Sequence, residues 1–202
     1  MIPVSSLTTL AATLAISCMA ATAAPPLVTA ARSQINVTTS YDPSYRTLKY
    51  PGGDVPAATG VCTDVVIRAL RKAHGIDLQK HVHLDMNAHF SSYPKTWGLT
   101  TTDRNIDHRR VPNLKTYFTR KGYSRTVGKS AGDYLPGDLV TCIVPPNRPH
   151  IMIVSDRTND DGTPLVIHNI GGGTREEDRL FEFKLTGHFR IPAPGNKPAT
   201  TK

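Results

Sequence analysis

Cysteine and aromatic residues are scarce in this sequence, and several classes of protein are excluded by what is missing. Three cysteines among 202 residues are too few for a disulfide-rich scaffold. No Gly-X-Y repeat is present, which excludes a collagen-like chain. The charged fraction of 20% is ordinary and Val, Ile and Leu are plentiful, so the bulk of the chain is not disordered. The length supports a single domain.

Charge is also missing from the N-terminus, where the first charged residue is Arg32. The uncharged stretch 7–24 is apolar but diluted with Thr and Ser, and it has the length of a signal-peptide core. Small residues near its end fit an A-x-A cleavage site after residue 23. We therefore expect residues 1–23 to be a signal peptide and the mature chain to be periplasmic or secreted.

Three alternatives stay open for this first segment: cleavage after Ala30, lipoprotein processing at Cys18, and retention as a membrane anchor. The stretch is short and weakly apolar for an anchor, since spanning a bilayer takes about 20 predominantly apolar residues. No later segment is apolar enough to span, so the sequence predicts no transmembrane segment.

Positive charge exceeds negative charge, with a formal net charge of +8. The basic residues form short clusters such as Arg109-Arg110, and no alternation of aromatic and basic residues indicates a nucleic-acid partner. In an exported protein this charge fits attraction to peptidoglycan or another anionic envelope polymer. A solvated surface that aids solubility explains the charge as well, and both interpretations stay open.

Four helices are predicted in the first part of the chain. The clearest one follows Gly60, its expected N-cap, and ends at Gly75, because apolar residues recur at helical spacing between them. The other three cover residues 26–35, 78–90 and 111–120.

From Leu135 onward, short runs rich in Val and Ile are separated by turns, which is typical of a strand meander. Helices followed by strands indicate an α+β fold with the N-terminal helices packed on a small antiparallel sheet. We assign residues 24–191 to a single domain and 192–202 to a disordered tail. Three strands are predicted, followed by one or two more: 138–144, 150–156 and 164–170, then 180–185 and 187–191.

Cys62 lies in the first turn of the helix that follows Gly60. Unpaired backbone N–H groups and the helix dipole make such a position electropositive. A thiolate is stabilised there, and the pKa of such cysteines falls from about 8.5 to roughly 3.5–7.5. The thiolate is the form that attacks a carbonyl carbon. A small buried hydrophobic residue is the alternative role for a free cysteine.

A nucleophilic cysteine needs a base, and the base needs a third group that orients it. His150 opens the predicted strand HIMIVSD, and His168 lies near the end of the predicted strand PLVIHN. If these strands are antiparallel neighbours, we expect both imidazoles on the sheet face that the Cys62 helix covers. A lone histidine on a strand is more often structural, so it is the order Cys, His, His that favours catalysis.

Four motifs in this order resemble a known enzyme family. GVCT begins at Gly60, YLPGDLVT begins at Tyr134, HIMIV begins at His150, and VIHN ends at Asn169. Together they resemble the NlpC-type cell-wall peptidases of the papain-like superfamily. More closely, YPGGDVP, GVCTDVVIRAL, NIDHRRVPNL and HIMIVSD resemble the YijF-like secreted bacterial proteins, a family whose domain has no assigned function. This closer resemblance covers nearly the whole mature chain.

The resemblance to the peptidases implies a papain-like fold and a role for each matching residue. Cys62 matches the nucleophile, His150 the general base and acid, and His168 the residue that orients His150. Asn169 is the alternative for the third role, because papain-like enzymes use asparagine there. The oxyanion hole would use the backbone N–H of Cys62 and one neighbour. Asp64 departs from the family pattern; it either shapes the substrate pocket or, as we expect, stabilises the helix start.

The segment between Gly75 and Leu135 is a further departure from the peptidase pattern, and it carries several histidines. His81, Asp85 and His89 share one face of a predicted helix, which is a conceivable metal-binding geometry. The arrangement lacks the H-E-x-x-H pattern, which puts a general base between two ligands, so we expect a polar helix face without a metal.

Four other residues have roles that the sequence leaves open. Arg109 and Arg110 either bind a carboxylate or phosphate or anchor a loop through internal salt bridges. Trp97 either stacks on a sugar or fills the core. Cys142 lies in the middle of a predicted strand and is expected to be a buried structural thiol. A disulfide between Cys142 and Cys62 would exclude a catalytic role for Cys62.

These observations predict an exported cysteine hydrolase that cleaves an amide bond in peptidoglycan or a related envelope polymer, using Cys62, His150 and His168. No metal ion or cofactor is expected. A non-catalytic envelope-binding module on the same fold is the first alternative, and a zinc hydrolase built on the histidine-rich segment is the second. The sequence leaves open which amide bond is cut, whether the target is the cell's own wall, and the oligomeric state.

Overall fold

The structure is a computed structural model that describes residues 25–193. The predicted signal peptide over 1–23 and the predicted tail from residue 194 onward lie outside the described residues. The described part of the chain forms four α-helices and eight strands, in this order: α1 (Pro26–Arg32), β1 (Ser40–Tyr41), β2 (Thr59–Gly60), α2 (Cys62–His74), α3 (Leu78–Ala88), α4 (Val111–Arg120), β3 (Ser124–Arg125), β4 (Leu139–Val144), β5 (Arg148–Thr158), β6 (Pro164–Asn169), β7 (Thr174–Glu177) and β8 (Lys184–Phe189).

Helix α2 forms where the helical spacing of apolar residues predicts it. It begins after Val61, so the prediction of Gly60 as the N-cap is wrong by one residue. Val61 has an extended backbone, and the carboxylate of Asp64 accepts its N–H at 2.7 Å, which satisfies one N–H group at the helix start. The helix ends where Gly75 takes the left-handed conformation (φ 66°), which glycine adopts without a steric penalty.

Six strands form one antiparallel sheet in the order β3-β8-β4-β5-β6-β7. Strands β4, β5, β6 and β7 are consecutive neighbours, and β8 returns to pair with the other side of β4. Short turns rich in Pro, Asn and Gly permit this antiparallel meander. Strands β1 and β2 form a separate parallel ladder that leads directly into α2. The predicted α+β class, with helices packed on an antiparallel sheet, is confirmed.

The sheet has a hydrophobic cluster on each face. On one face, the helices pack against Ile151, Ile153 and Ile167. On the other face, Met152 and Val154 belong to a cluster that loop residues cover. Successive residues of a strand point to opposite faces, so odd-numbered residues in the regular part of β5 face the helices and even-numbered residues face away. This alternation determines on which side each candidate site residue lies.

Several predicted boundaries differ from the structure. Helix α1 ends at Arg32 rather than at residue 35. Of the one or two further strands predicted over 180–185 and 187–191, one is formed, β8. Strand β7 was not predicted, because its sequence TREE has no apolar alternation. It lies at the edge of the sheet, where most of its polar side chains are only partly covered. No helix within residues 25–193 is both long and apolar enough to cross a membrane.

Candidate active site

Cys62 is the first residue of α2, and its thiol is free. The residue is only 4% exposed and lies between the helix layer and the sheet. Cys142 in β4 is also free and is fully buried, as predicted for a structural thiol. No disulfide joins the two cysteines, so the bond that would exclude a catalytic role for Cys62 is not formed.

The sulfur of Cys62 is in contact with backbone N–H groups, yet its pKa is not lowered. Burial raises the pKa of the thiol to about 12, although the N–H groups of Ile151, Thr63 and Cys62 itself act in the opposite direction. The negative charge of Asp64 adds to the increase. The expectation that the helix start keeps this sulfur ionised is therefore wrong for the resting site, because desolvation of a buried thiolate outweighs the stabilising N–H groups.

The two candidate histidines are in direct contact. Nε2 of His150 in β5 lies 2.7 Å from Nδ1 of His168 in β6, and the rings meet edge to face. Nε2 of His168 lies 3.0 Å from a carboxylate oxygen of Glu177 in β7. The guanidinium of Arg179 lies 3.1 Å from the same oxygen. A chain of four polar side chains therefore leads from the edge of the sheet to His150.

The carboxylate of Glu177 determines the tautomers of both rings. Burial lowers the pKa of His150 to about 3, and it lowers the pKa of His168 as well, although Glu177 opposes the second shift. Both rings are therefore neutral at neutral pH. A carboxylate only accepts hydrogen bonds, so Nε2 of His168 carries the ring proton and donates it to Glu177 in a hydrogen bond. The unprotonated Nδ1 of His168 then accepts a hydrogen bond from Nε2 of His150. This leaves Nδ1 of His150 unprotonated and able to act as a base.

The imidazole pair lies on the sheet face that points away from the helices. Met152 points to the same face as His150, and Val166 points to the same face as His168. Both apolar residues belong to the cluster on that face, whereas Cys62 belongs to the helix-side cluster. The expectation that both imidazoles lie on the face covered by the Cys62 helix is therefore wrong. The strands place their isoleucines under the helices, and the alternation of side chains then turns both histidines to the other side.

The two faces meet where β5 and β6 separate. The pairing of these strands ends at Ile153 and Ile167, so the residues beyond them are not paired with each other. At this opening the N–H of Ile151 contacts the sulfur of Cys62, and the residue before Ile151 is His150. No hydrogen bond between the Cys62 thiol and the His150 ring is formed within the described residues. At this end of the β5–β6 pairing, the thiol and the imidazole therefore lie on opposite faces of the sheet.

Asn169, the alternative third residue, has a different position. Its Nδ2 donates hydrogen bonds to the carbonyl oxygens of Gly60 and Ser40, at 2.9 and 3.3 Å. These bonds tie the end of β6 to the segment that leads into α2. The residue that contacts His150 is therefore His168 and not Asn169.

Asp64 and Arg109 form a buried ion pair beside Cys62. Two guanidinium nitrogens of Arg109 lie 2.9 Å from the two carboxylate oxygens of Asp64, and both side chains are almost fully buried. Arg109 also donates to the carbonyl oxygens of Asp42 and Ser44, which anchors the loop after β1. Asp64 stabilises the helix start as predicted, and the loop anchor is the role that the structure shows for Arg109.

A cavity of about 200 Å³ opens onto Cys62. Trp97 and Arg110 form part of its wall, with the guanidinium carbon 4.1 Å from the centroid of the Trp97 ring. Trp97 is 40% exposed and does not fill the core. Tyr41 lines this cavity and also a second one that reaches His150. The two candidate catalytic residues therefore border adjoining cavities under the same loop.

The predicted polar cluster on α3 does not converge on one point. Asp85 is buried and accepts hydrogen bonds from Arg120 and Lys121, both at 2.7 Å. His81 and His89 are exposed. Among the residues that the structure describes, no three His, Cys, Asp or Glu side chains are placed to hold a metal ion. The carboxylate of Asp85 joins α3 to the C-terminal end of α4.

Sequence reasoning missed Glu177, which orients the histidine pair. The sequence feature that points to Glu177 is a pair of acidic residues, which follows VIHN after a glycine-rich turn. The pairing of β7 with β6 places Glu177 opposite Val166, on the same face as His168. Only this register brings the carboxylate to the ring, so residue type and spacing alone do not reveal it.

Comparison with known proteins gives two matches and one negative result. A family described as a domain of unknown function, DUF1287, matches residues 28–191. The chain is 54% identical over 160 residues to a protein of Escherichia coli (strain K12) named "Uncharacterized protein YijF", and the match covers 79% of this chain and 78% of that protein. No solved structure matches the chain. The predicted resemblance to the YijF-like proteins is confirmed.

Proposed function

We propose that this chain, which belongs to the DUF1287 family, is a cysteine hydrolase that cleaves an amide bond in peptidoglycan or a related cell-envelope polymer. One observation carries the proposal: the link from Glu177 through His168 leaves Nδ1 of His150 as a base, and His150 borders a cavity that adjoins the cavity of the free Cys62 thiol. A papain-like fold of the NlpC type is part of the proposal. It is supported by a cysteine at a helix start, packed on an antiparallel sheet that carries the histidines.

In the proposed reaction, the sulfur of Cys62 attacks the carbonyl carbon while its proton passes to Nδ1 of His150. His150 then gives this proton to the leaving nitrogen, the C–N bond breaks, and a thioester and a free amine result. Water attacks the thioester and gives a proton to His150. The S–C bond then breaks, Cys62 takes the proton back, and a carboxylic acid is released.

The thiol and the imidazole both start neutral, so the proposal is a general-base mechanism and not a preformed ion pair. Burial raises the pKa of Cys62 and lowers the pKa of His150, and separated charges are therefore unfavourable before the substrate binds. Proton transfer then accompanies the attack of the sulfur on the carbonyl carbon. The N–H groups near the sulfur, those of Cys62, Thr63 and Ile151, supply donors for the negative charge that develops.

The thiol and the imidazole are not hydrogen-bonded within the described residues, so the two groups have to approach each other when the substrate binds. Catalytic hydrogen bonds are often long in structures without substrate and tighten only in the complex. Here the unpaired ends of β5 and β6 provide the place where this approach occurs, since no ladder hydrogen bonds have to break beyond Ile153 and Ile167.

The envelope polymer as substrate is supported by two features of the sequence. The formal net charge of +8 favours association with anionic polymers. The expected signal peptide over residues 1–23 would carry the chain to the compartment where such polymers occur.

The test is the incubation of the purified protein with peptidoglycan sacculi, followed by mass spectrometry of the released fragments. We expect products with one new amine and one new carboxyl group, and their masses identify the bond that is cut. Cys62→Ala is expected to fold and to release nothing, while Cys142→Ala serves as the matched control and retains activity. Full activity of Cys62→Ala would overturn the proposal.

A non-catalytic envelope-binding module is the second candidate function. The observation that favours it is the burial of the Cys62 thiol, which raises its pKa to about 12 and leaves it a poor nucleophile at rest. Under this alternative, the unsubstituted protein and Cys62→Ala bind sacculi equally well and neither releases a fragment. The same incubation, with the bound protein measured by sedimentation, therefore separates the two functions.

A further inference from the structure

Two adjacent arginines near Cys62 are used in different ways. The side chain of Arg109 is only 2% exposed, and its N–H donors are taken by Asp64 and by loop carbonyl groups. The side chain of Arg110 is 17% exposed and lines the Cys62 cavity. Its contact with Asp107 is long, at 3.5 Å. Arg110 therefore keeps N–H donors that a ligand in the cavity can use.

Trp97 holds the Arg110 guanidinium in place. The distance of 4.1 Å from the guanidinium carbon to the ring centroid is well inside the range of about 6 Å for a cation–π interaction. A guanidinium that stacks on a ring leaves the donors along its edge free, and these donors match the two oxygens of a carboxylate. The stack thus presents an ordered carboxylate-binding group on the cavity wall.

The electrostatic environment of this cavity favours an anion. Within the described residues, no Asp or Glu lines it. Of the carboxylates next to its arginines, Asp64 is neutralised by Arg109, and Asp107 makes only the long contact of 3.5 Å with Arg110. Two helices begin at the wall, α2 at Cys62 and α4 at Val111, and each contributes positive partial charge from its N-terminus. These contributions act in the same direction as the charge of Arg110.

The geometry points to a substrate that carries a free carboxylate close to the amide bond that is cut, with the carboxylate on Arg110 and the reacting carbonyl at Cys62. This inference rests on the proposed function, because it names the substrate chemistry of the same site. A cavity of about 200 Å³ is somewhat larger than the cavity of about 150 Å³ that admits benzene. It therefore has room for one amino-acid residue, so a peptide portion of the polymer fits it.

The test measures binding to the Cys62→Ala protein, so that no turnover is needed. The first probe is the peptide L-alanyl-γ-D-glutamyl-L-lysine amide, whose only carboxylate is the α-carboxylate of the glutamate. The second probe is the same peptide with this carboxylate amidated. By isothermal titration calorimetry we expect the first probe to bind at least about tenfold more tightly, which is the size of effect that a charge-assisted hydrogen bond produces.

Substitutions in the Cys62→Ala background assign the preference to Arg110. We expect Arg110→Gln to abolish it and Arg110→Lys to restore it only in part, because an ammonium group lacks the fork of donors. Trp97→Ala is expected to weaken the preference more than Trp97→Phe. The matched control is Arg104→Gln, since Arg104 stacks on Tyr50 at 5.5 Å and does not line the Cys62 cavity. This control is expected to leave the preference unchanged.

Three results would overturn the inference: equal binding of both probes, no binding of either, or a preference that survives Arg110→Gln. Thermal unfolding of each variant shows that its fold is retained. The outcome is independent of catalysis. If the unsubstituted protein releases nothing from sacculi while the carboxylate preference depends on Arg110, the proposed hydrolysis fails and the carboxylate site stands.

Discussion

Glu177 is linked to His150 through a single imidazole ring, and this link determines which nitrogen of His150 is a base. The carboxylate accepts a hydrogen bond from Nε2 of His168, and Nδ1 of His168 accepts a hydrogen bond from Nε2 of His150, at 2.7 Å. Without Glu177, His168 is free to take the other tautomer and to donate toward His150. The base at Nδ1 of His150 therefore depends on a residue of the edge strand β7 that contacts His150 only through His168.

Replacement of this carboxylate tests the link. We expect Glu177→Ala to lower the kcat of the proposed hydrolysis by about 10–100-fold with little change in KM, the size of effect seen when metal-bound histidines lose the partner that orients them. The measurement is release of fragments from sacculi at several substrate concentrations. Glu182→Ala is the matched control, because Glu182 also pairs with Arg179 but has no hydrogen bond to an imidazole. Equal losses in the two variants would contradict the assignment.

The reactivity of the two cysteines follows from their burial. The pKa of each thiol is raised to about 12 by burial, so we expect slow alkylation by iodoacetamide at pH 6 to 7 and faster alkylation as the pH rises. Cys62 lines a cavity and is expected to react before Cys142, which is fully buried. Mass spectrometry of the labelled peptides gives both rates. Rapid labelling of Cys62 at pH 6 would show a preformed thiolate and contradict the neutral resting pair.

The buried histidine pair makes the fold less stable in mild acid. The pKa of His150 is about 3 in the folded state and about 6.5 in the unfolded chain, so the unfolded state binds more protons between these pH values. The free energy of unfolding therefore falls as the pH falls below 6.5. At pH 5 the contribution of His150 amounts to a loss on the order of 2 kcal/mol.

Urea denaturation at pH 7 and at pH 5 measures this loss. In His150→Gln the difference between the two pH values is expected to shrink by about that amount, on the order of 2 kcal/mol. His81→Gln is the control, since His81 is exposed on α3 and its replacement leaves the buried pair intact. An undiminished pH dependence in His150→Gln would show that the ring is not held neutral in the folded protein.

The ion pair of Asp64 and Arg109 is expected to make a large contribution to stability. Asp64→Asn leaves a guanidinium buried without its partner, and loss of one member of a buried pair costs about 3–5 kcal/mol. Arg46→Ala breaks the more exposed pair of Arg46 with Asp42 and is expected to cost far less, because solvent screens exposed ion pairs. Guanidinium chloride denaturation of the variants gives both values.

A paired substitution separates charge from packing at the same site. Asp64→Leu combined with Arg109→Met removes both charges and is expected to cost less than Asp64→Asn alone, because no buried charge is left unpaired. A double variant that is as unstable as the single one would show that the hydrogen bonds of Arg109 to the loop after β1 carry the stability instead.

The helix that carries Cys62 and the strands that carry the histidines are predictable because their signals are local. Apolar spacing between Gly60 and Gly75 locates α2 to within one residue, and runs of Val and Ile locate β4, β5 and β6. The contact between His150 and His168 also follows from sequence, since two consecutive antiparallel strands with a short turn are neighbours. Local periodicity therefore brings two of the three candidate catalytic residues together.

The face on which the histidines lie is not a local property. It depends on which alternate set of residues in β5 the helices cover, and the isoleucines occupy that position here. The role of Glu177 depends on the register of an edge strand whose sequence has no strand signal. The ionisation of Cys62 depends on a balance between helix N–H groups, which the sequence predicts, and desolvation, which it does not.

By itself, the order of residues determined the α+β class, the position of a cysteine at a helix start and the pairing of two histidine-bearing strands, because each follows from backbone hydrogen bonding and the period of apolar side chains. The tertiary structure alone decided that the thiol rests protonated, that the imidazoles lie on the sheet face opposite to it, and that Glu177 sets their tautomers. These properties arise from burial and from contacts between residues far apart in the chain, and such contacts exist only once the layers have packed.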